Sequence, residues 1–139
     1  MDRTILIIED EQKINDILAF SLGKDGYKTL SAFDGVKGLE MALKENPDLI
    51  LLDVMLPGMD GFEVCRKVRE KSQVPIIMLT AKSDEASELN GFDCGADEYI
   101  SKPFSPKILT ARVDALIRRS YSIDSSEIID VGGIIINKA

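Results

Sequence analysis

Residues 49–61 read Leu-Ile-Leu-Leu-Asp-Val-Met-Leu-Pro-Gly-Met-Asp-Gly. Four apolar residues, 49–52, run without alternation into the carboxylate of Asp53. An unbroken apolar run bounded by turn residues marks a strand buried on both faces, as in a parallel sheet covered by helices. Pro57-Gly58 and Asp60-Gly61 then turn the chain and start the next helix. A charge at the end of such a strand is either a cap for the turn or a reactive group held at the rim of a sheet.

Four further short runs have the same character: residues 4–9, 27–31, 75–79 and 98–101. Residues 5–8, all Ile or Leu, also lack alternation, so a second strand is buried on both faces. Helical spacing of three and four separates the runs. It links Ile14, Ile17, Leu18 and Leu22; Leu39, Ala42 and Leu43; Phe62, Cys65 and Val68; and Leu109, Val113, Leu116 and Ile117. Gly26, Asn46-Pro47, Pro57-Gly58 and residues 72–75 break the pattern between elements. The alternation is (βα)5, an α/β doubly wound parallel sheet. Right-handed crossovers make the flavodoxin-like strand order 2-1-3-4-5 the simplest winding, with ligands at the carboxyl ends of strands 1 and 3.

The chain has 139 residues, enough for about one domain with a real core. The 17 basic and 24 acidic residues leave a net charge of −7, which disfavours non-specific nucleic-acid binding by this chain. No apolar run approaches the roughly 18 residues that cross a bilayer, and no secretory signal pattern opens the sequence. These features predict a cytoplasmic protein with no membrane contact. Cys65 and Cys94 have no metal-like spacing, and Cys65 lies on an amphipathic stripe as a small core residue.

The predicted topology gathers scattered polar residues on one edge. Glu9, Asp10 and Glu11 end strand 1, Asp53 ends strand 3, Thr80 ends strand 4 and Lys102 ends strand 5. One strand-end polar residue is common; four acids with a threonine and a lysine on one edge are hard to explain as capping. Carboxylates this close repel, so one stays protonated or a cation sits among them. Oxygen ligands without Cys or His suit a hard ion such as Mg²⁺, which often bridges to phosphate. Thr80 and Lys102 would then face a phosphoryl group, and Asp53 is the available nucleophile. The chain contains no His, so it cannot supply its own phosphohistidine.

At this level the sequence resembles the receiver domain of two-component response regulators. The resemblance rests on Ile-Leu-Ile-Ile-Glu9-Asp10-Glu11, on Leu-Leu-Asp53-Val-Met-Leu-Pro57-Gly-Met-Asp-Gly61, on Met-Leu-Thr80-Ala81-Lys82 and on Ala-Asp-Glu-Tyr99-Ile-Ser-Lys102-Pro103-Phe. It covers about residues 3–120. It implies that Asp53 is the phosphoacceptor, and that Asp10, Asp53 and the backbone carbonyl of Met55 bind Mg²⁺ with Glu9 acting through water. It implies that Thr80 and the Ala81 amide hold the phosphoryl group, that Lys102 bridges to it, and that Lys102-Pro103 is cis. Thr80 and Tyr99 would form the switch pair. Glu11 reads better as a helix N-terminal acid than as a ligand.

Residues 101–119 resemble the OmpR/PhoB type, whose effector is a winged-helix DNA-binding domain. The expected organisation is a receiver domain over residues 1–120, a linker over 121–127, and over 128–139 the start of a truncated DNA-binding domain. Expected partners are a sensor histidine kinase, DNA through the missing domain, and a second copy through the helix 4–strand 5–helix 5 face. Asp97, Glu98, Arg112 and Arg119 would lie on that face. Glu88 and Ile108 replace a customary ion pair there, so weaker pairing is expected. A competing reading is a haloacid-dehalogenase-like phosphatase. It needs an acid–base two residues after the nucleophile, where this chain has Met55. A third reading is a receiver that acts without phosphorylation. The favoured reading is a phosphoacceptor switch with slow self-dephosphorylation at most, not an enzyme.

Overall fold

A computed structural model describes residues 3–81 and 94–121. Five strands alternate with helices: β1 (Thr4–Ile8), α1 (Gln12–Lys24), β2 (Lys28–Ala32), α2 (Gly35–Glu45), β3 (Leu49–Asp53), α3 (Gly61–Arg69), β4 (Ile76–Ala81), β5 (Glu98–Lys102) and α4 (Pro106–Tyr121). The helix expected between β4 and β5, which carries Glu88, lies outside the described residues, as does Lys82, so α4 is the fifth helix of the expected series. The sheet is parallel, in the order β2-β1-β3-β4-β5. This is the predicted flavodoxin-like winding.

The two non-alternating runs form the centre of the sheet. Ile5, Leu6, Ile7 and Ile8 are fully buried, as are Leu49, Ile50, Leu51 and Leu52. Alternate residues feed different cores. Leu6, Ile8, Ile50 and Leu52 pack with Val64, Cys65 and Val68 of α3 and Ala42 of α2. Ile5, Ile7, Leu49 and Leu51 pack with Leu18 and Leu22 of α1 and with Leu109, Val113 and Leu116 of α4. A strand with helices on both sides has no solvent face, which is why its sequence lacks alternation.

The helix starts follow local chemistry. The Asp34 carboxylate caps α2 by accepting from the Lys37 amide at 2.8 Å, and Asp60 caps α3 by accepting from Glu63 at 3.0 Å. Asn46 ends α2 with a left-handed φ of 51°. Two helical positions differ from the expectation. Ile17 is 49% exposed and Leu43 is 40% exposed, whereas Asn15 is buried. The inward stripe of α1 is Asn15, Leu18 and Leu22, so the helix is rotated from the angle that its apolar residues alone suggest.

α4 continues one residue past the expected domain boundary. Tyr121 closes the last turn, where its hydroxyl donates to the Asp48 carbonyl at 2.8 Å and Arg3 stacks 4.3 Å from its ring centroid. These contacts dock the helix end on the amino-terminal side of the sheet. The remaining linker and hairpin segment, 122–139, lies outside the described residues.

Candidate functional site

The carboxyl ends of the strands converge as the topology requires. Ile8 pairs with Leu52, Asp53 with Leu79, Thr80 with Ser101, and Ala81 with Lys102. Glu9 and Asp53 therefore leave neighbouring strands side by side, and both are buried. Carboxylate oxygens of Glu9, Asp10 and Asp53 all lie within 4.8 Å of one another, with Asp10 on the exposed side.

Lys102 reaches into this cluster. Its ammonium donates to Glu9 Oε1 at 2.8 Å and lies 3.3 Å from Asp53 Oδ2. The other Glu9 oxygen, Oε2, accepts the Glu11 amide at 3.0 Å. Both oxygens of Glu9 are thus engaged within the protein. Asp53 Oδ1 accepts the Met55 amide at 3.2 Å. Burial, reinforced by the neighbouring Glu9 charge, raises the Asp53 carboxyl to about 6 against the opposing pull of Lys102 and the Met55 amide. Burial opposes the charge on Lys102, but the Glu9 and Asp53 carboxylates outweigh it and raise the ammonium's pKa.

Three carboxylates face one ammonium, so two negative charges stay unbalanced when all are ionised. An all-oxygen set with that deficit fits a hard divalent cation. Glu11 serves as the N-cap residue of α1, and its side chain makes no cap hydrogen bond.

Thr80 is buried at the end of β4, and Ala81 is exposed beside it. Tyr99 is half-buried and packs with the apolar cluster under α2 and α3. Tyr99 pairs with Met78, two residues before Thr80, so strand alternation sends Thr80 and Tyr99 to the same face of the sheet. Lys102-Pro103 is cis.

The proposed dimer-face residues separate into two groups. Glu98 accepts from Arg112 at 3.2 Å and lies 4.0 Å from Arg119, so these three share the surface between β5 and α4. Asp97 turns the other way: its Oδ2 accepts from Arg69 of α3 at 2.8 Å and from the Ile76 amide at 2.9 Å. Ile108 is 59% exposed.

Sequence reading missed the residues that hold the site's loops. The buried Asn15 amide donates to the Glu9 carbonyl at 3.0 Å, while its Oδ1 accepts from Ser31 at 2.5 Å. This fixes the chain where it leaves β1. Gly61 lets α3 start against the carboxyl end of β3. A Cβ there would stand 2.2 Å from the Asp53 carbonyl oxygen. Gly35 plays the same part for α2, where a Cβ would stand 1.8 Å from the Met59 carbonyl. The Asn15, Leu18, Leu22 spacing was the available signal for the first of these. Nothing local marks the two glycines as close-approach sites.

The family model for the response regulator receiver domain matches residues 5–114. The chain is similar to the BeF3-activated N-terminal receiver domain of RstA from Klebsiella pneumoniae, with 34% identity over 84% of this chain and 99% of that one, at a TM-score of 0.79. It is similar to the receiver domain of response regulator 1452 from Francisella, with 31% identity over 85% and 98% of the two chains, at 0.80. A two-component response regulator from Clostridium difficile aligns at 30% identity over 86% and 98%, at 0.82. The protein belongs to the response regulator receiver domain family. Receiver domains are signalling switches that bind Mg²⁺ at an acidic pocket, and this chain carries an acidic cluster of Glu9, Asp10 and Asp53.

Proposed function

We propose that this chain is a phosphorylation-dependent switch in which Asp53 accepts a phosphoryl group from a sensor histidine kinase. One observation carries the reading: a buried carboxylate, 3% exposed, stands 3.3 Å from an ammonium in a cluster with two further acids. Burial without full pairing is expensive for a purely structural aspartate. It is useful for one that forms an acyl phosphate.

Asp10, Asp53 and the Met55 carbonyl would hold Mg²⁺, whose chemistry is to neutralise charge on the transferring phosphoryl oxygens. Asp53 supplies the attacking carboxylate oxygen, and the bond from phosphorus to the donor breaks. Lys102 already lies beside Asp53 and balances the new charge, and the buried Thr80 hydroxyl and the Ala81 amide donate to the remaining phosphoryl oxygens. Glu9 positions Lys102 through the 2.8 Å ion pair. Met55, 71% exposed two residues after Asp53, has no acid–base group to take a proton from an attacking water. The phosphoryl group therefore persists as a signal instead of turning over as in a phosphatase.

A new phosphoryl group shifts the population of Thr80 and of Tyr99 on the same sheet face, and so the surface around β5 and α4. In this reading the protein is cytoplasmic and of the OmpR/PhoB type, and the surface controls a C-terminal DNA-binding domain and homodimerisation. The RstA likeness supports that subtype. The Glu98, Arg112 and Arg119 contacts within one chain must rearrange for pairing.

Incubation with acetyl phosphate and Mg²⁺ is expected to add one phosphoryl mass, mapped to Asp53 and lost in Asp53→Asn. Labelling that survives in Asp53→Asn refutes the assignment.

A further inference from the structure

Outside the acidic pocket, the chain's two cysteines meet in space. Cys65 lies on α3 and Cys94 in the turn before β5, 29 residues apart. The Cys65 thiol donates to the Cys94 carbonyl at 3.4 Å, and each thiol shifts the ionisation of the other. Neither is in a disulfide. Both belong to the apolar cluster that also packs Met78 and Tyr99.

The turn that carries Cys94 is pinned onto α3. Arg69 Nε donates to the Gly95 carbonyl at 2.9 Å, and its guanidinium pairs with Asp97 at 2.8 Å. Gly95 has a φ of +100°, and its Cα lies so close to Arg69 that a Cβ would stand 2.9 Å from the Arg69 side chain. Arg69 thus holds the Cys94 turn against the helix that carries Cys65.

We propose that Cys65 and Cys94 form a redox-active dithiol, closed by a peroxide into an intramolecular disulfide that ties α3 to the segment entering β5.

The two thiols differ as a reactive pair should. The Cys65 side chain lowers the Cys94 thiol against the opposing effect of burial, helped by the Ala96 amide and the nearby Arg66 charge. Cys65 is driven the opposite way by its partner and by burial. The thiolate is the nucleophile, so Cys94 reacts first and Cys65 resolves. The Cys94 thiolate attacks one peroxide oxygen, the O–O bond breaks, and the departing oxygen takes up a proton and leaves as water. Cys94 is then a sulfenic acid. The Cys65 sulfur attacks that sulfur, the S–O bond breaks, and a second water leaves with the Cys65 proton. Two thiols lose two electrons in total and one peroxide is reduced. In a reducing compartment such a bond senses oxidant instead of stapling the fold. The pair shares its apolar cluster with Tyr99 and lies by the Arg69–Asp97 pairing that fixes the entry to β5, so closing the bond would constrain the α3 side of that strand.

The full reduced chain is treated with hydrogen peroxide. The expected product is a monomer lighter by two hydrogens, with a 65–94 cross-linked peptide, reverted by dithiothreitol. Cys65→Ser is expected to leave a sulfenic acid on Cys94 that dimedone traps, and Cys94→Ser to trap none. Arg66→Gln, a surface change that leaves both thiols in place, should slow the first oxidation about two- to threefold by weakening the thiolate. Two thiols that stay titratable in the folded chain overturn the proposal. A disulfide between molecules, or over-oxidised Cys94 with Cys65 still a thiol, overturns it equally.

Discussion

The strand β3 has an aspartate at each end, and the two live in opposite circumstances. Asp48, just before the strand, accepts the Thr4 amide at 2.7 Å, lies 3.7 Å from Arg3 and stays partly exposed. The chain reinforces it with the Thr4 carbonyl taking the Asp48 amide at 2.8 Å and with the Tyr121 hydroxyl on its carbonyl. Asp53, at the other end, is buried among like charges with a share in one ammonium. One residue type on one strand is a clasp at the amino end and a buried, incompletely compensated carboxylate at the carboxyl end. Satisfied carboxylates hold structure; incompletely compensated ones store the potential for chemistry.

The sharpest way to separate the two ends is to neutralise each. Asp53→Asn is expected to abolish labelling by acetyl phosphate, whereas Asp48→Asn leaves it intact; mass spectrometry of the intact chain reads both. Equal loss in the two variants would erase the distinction.

Next in size is the packing that brings α3 to the reactive end. Gly61→Ala puts a methyl group 2.2 Å from the Asp53 carbonyl, a backbone atom that can move only with the strand. Overpacking against backbone predicts a loss of about 2–4 kcal/mol in urea unfolding. A change below the error of that measurement would mean the loop is slacker than this geometry.

A smaller effect tests the charge imbalance directly. Asp53 binds its proton more tightly in the folded chain, to about 6, than its ordinary value of 3.8. Between those values the folded state holds a proton that the unfolded state has released, so stability falls as pH rises through the window. Without divalent cations, Asp53→Asn should therefore be more stable than the wild type at about pH 7, by about 1–3 kcal/mol. The advantage should shrink toward about pH 4 and when Mg²⁺ is added to the wild type. A pH-independent difference would remove the electrostatic explanation.

The smallest effect lies at the clasp. Tyr121→Phe removes one hydrogen bond to the Asp48 carbonyl and should lower stability by about 0.5–1.5 kcal/mol, with labelling of Asp53 unchanged.

Much of this contrast was readable beforehand. The apolar runs placed the strands because burial on both faces leaves no reason for alternation. Glu9, Asp10, Asp53, Thr80 and Lys102 were placed on one edge because parallel strands all point the same way. The rotation of α1 was not readable: Ile14, Ile17 and Leu18 suggest one face, yet Asn15 turns inward to hold the Glu9 and Ala32 carbonyls. A buried polar group with its partners satisfied can outrank an exposed isoleucine, and those partners come from another strand. The resemblance groups Asp97 with Glu98 on one expected face, but neighbours on an extended chain point to opposite sides, and within this chain Asp97 pairs with Arg69.

Residue order by itself determined the class of fold, the end of the sheet where charge collects, and Asp53 as the acid at the end of a buried strand. Periodicity and breakers are local properties, legible in any window of the chain. Only the tertiary structure decided what Asp53 has for company. Lys102 reaches Glu9 across 93 residues of sequence, and the two cysteines meet across 29. Such distances close only when the sheet is wound, and electrostatic and thiol chemistry depend on those closed distances.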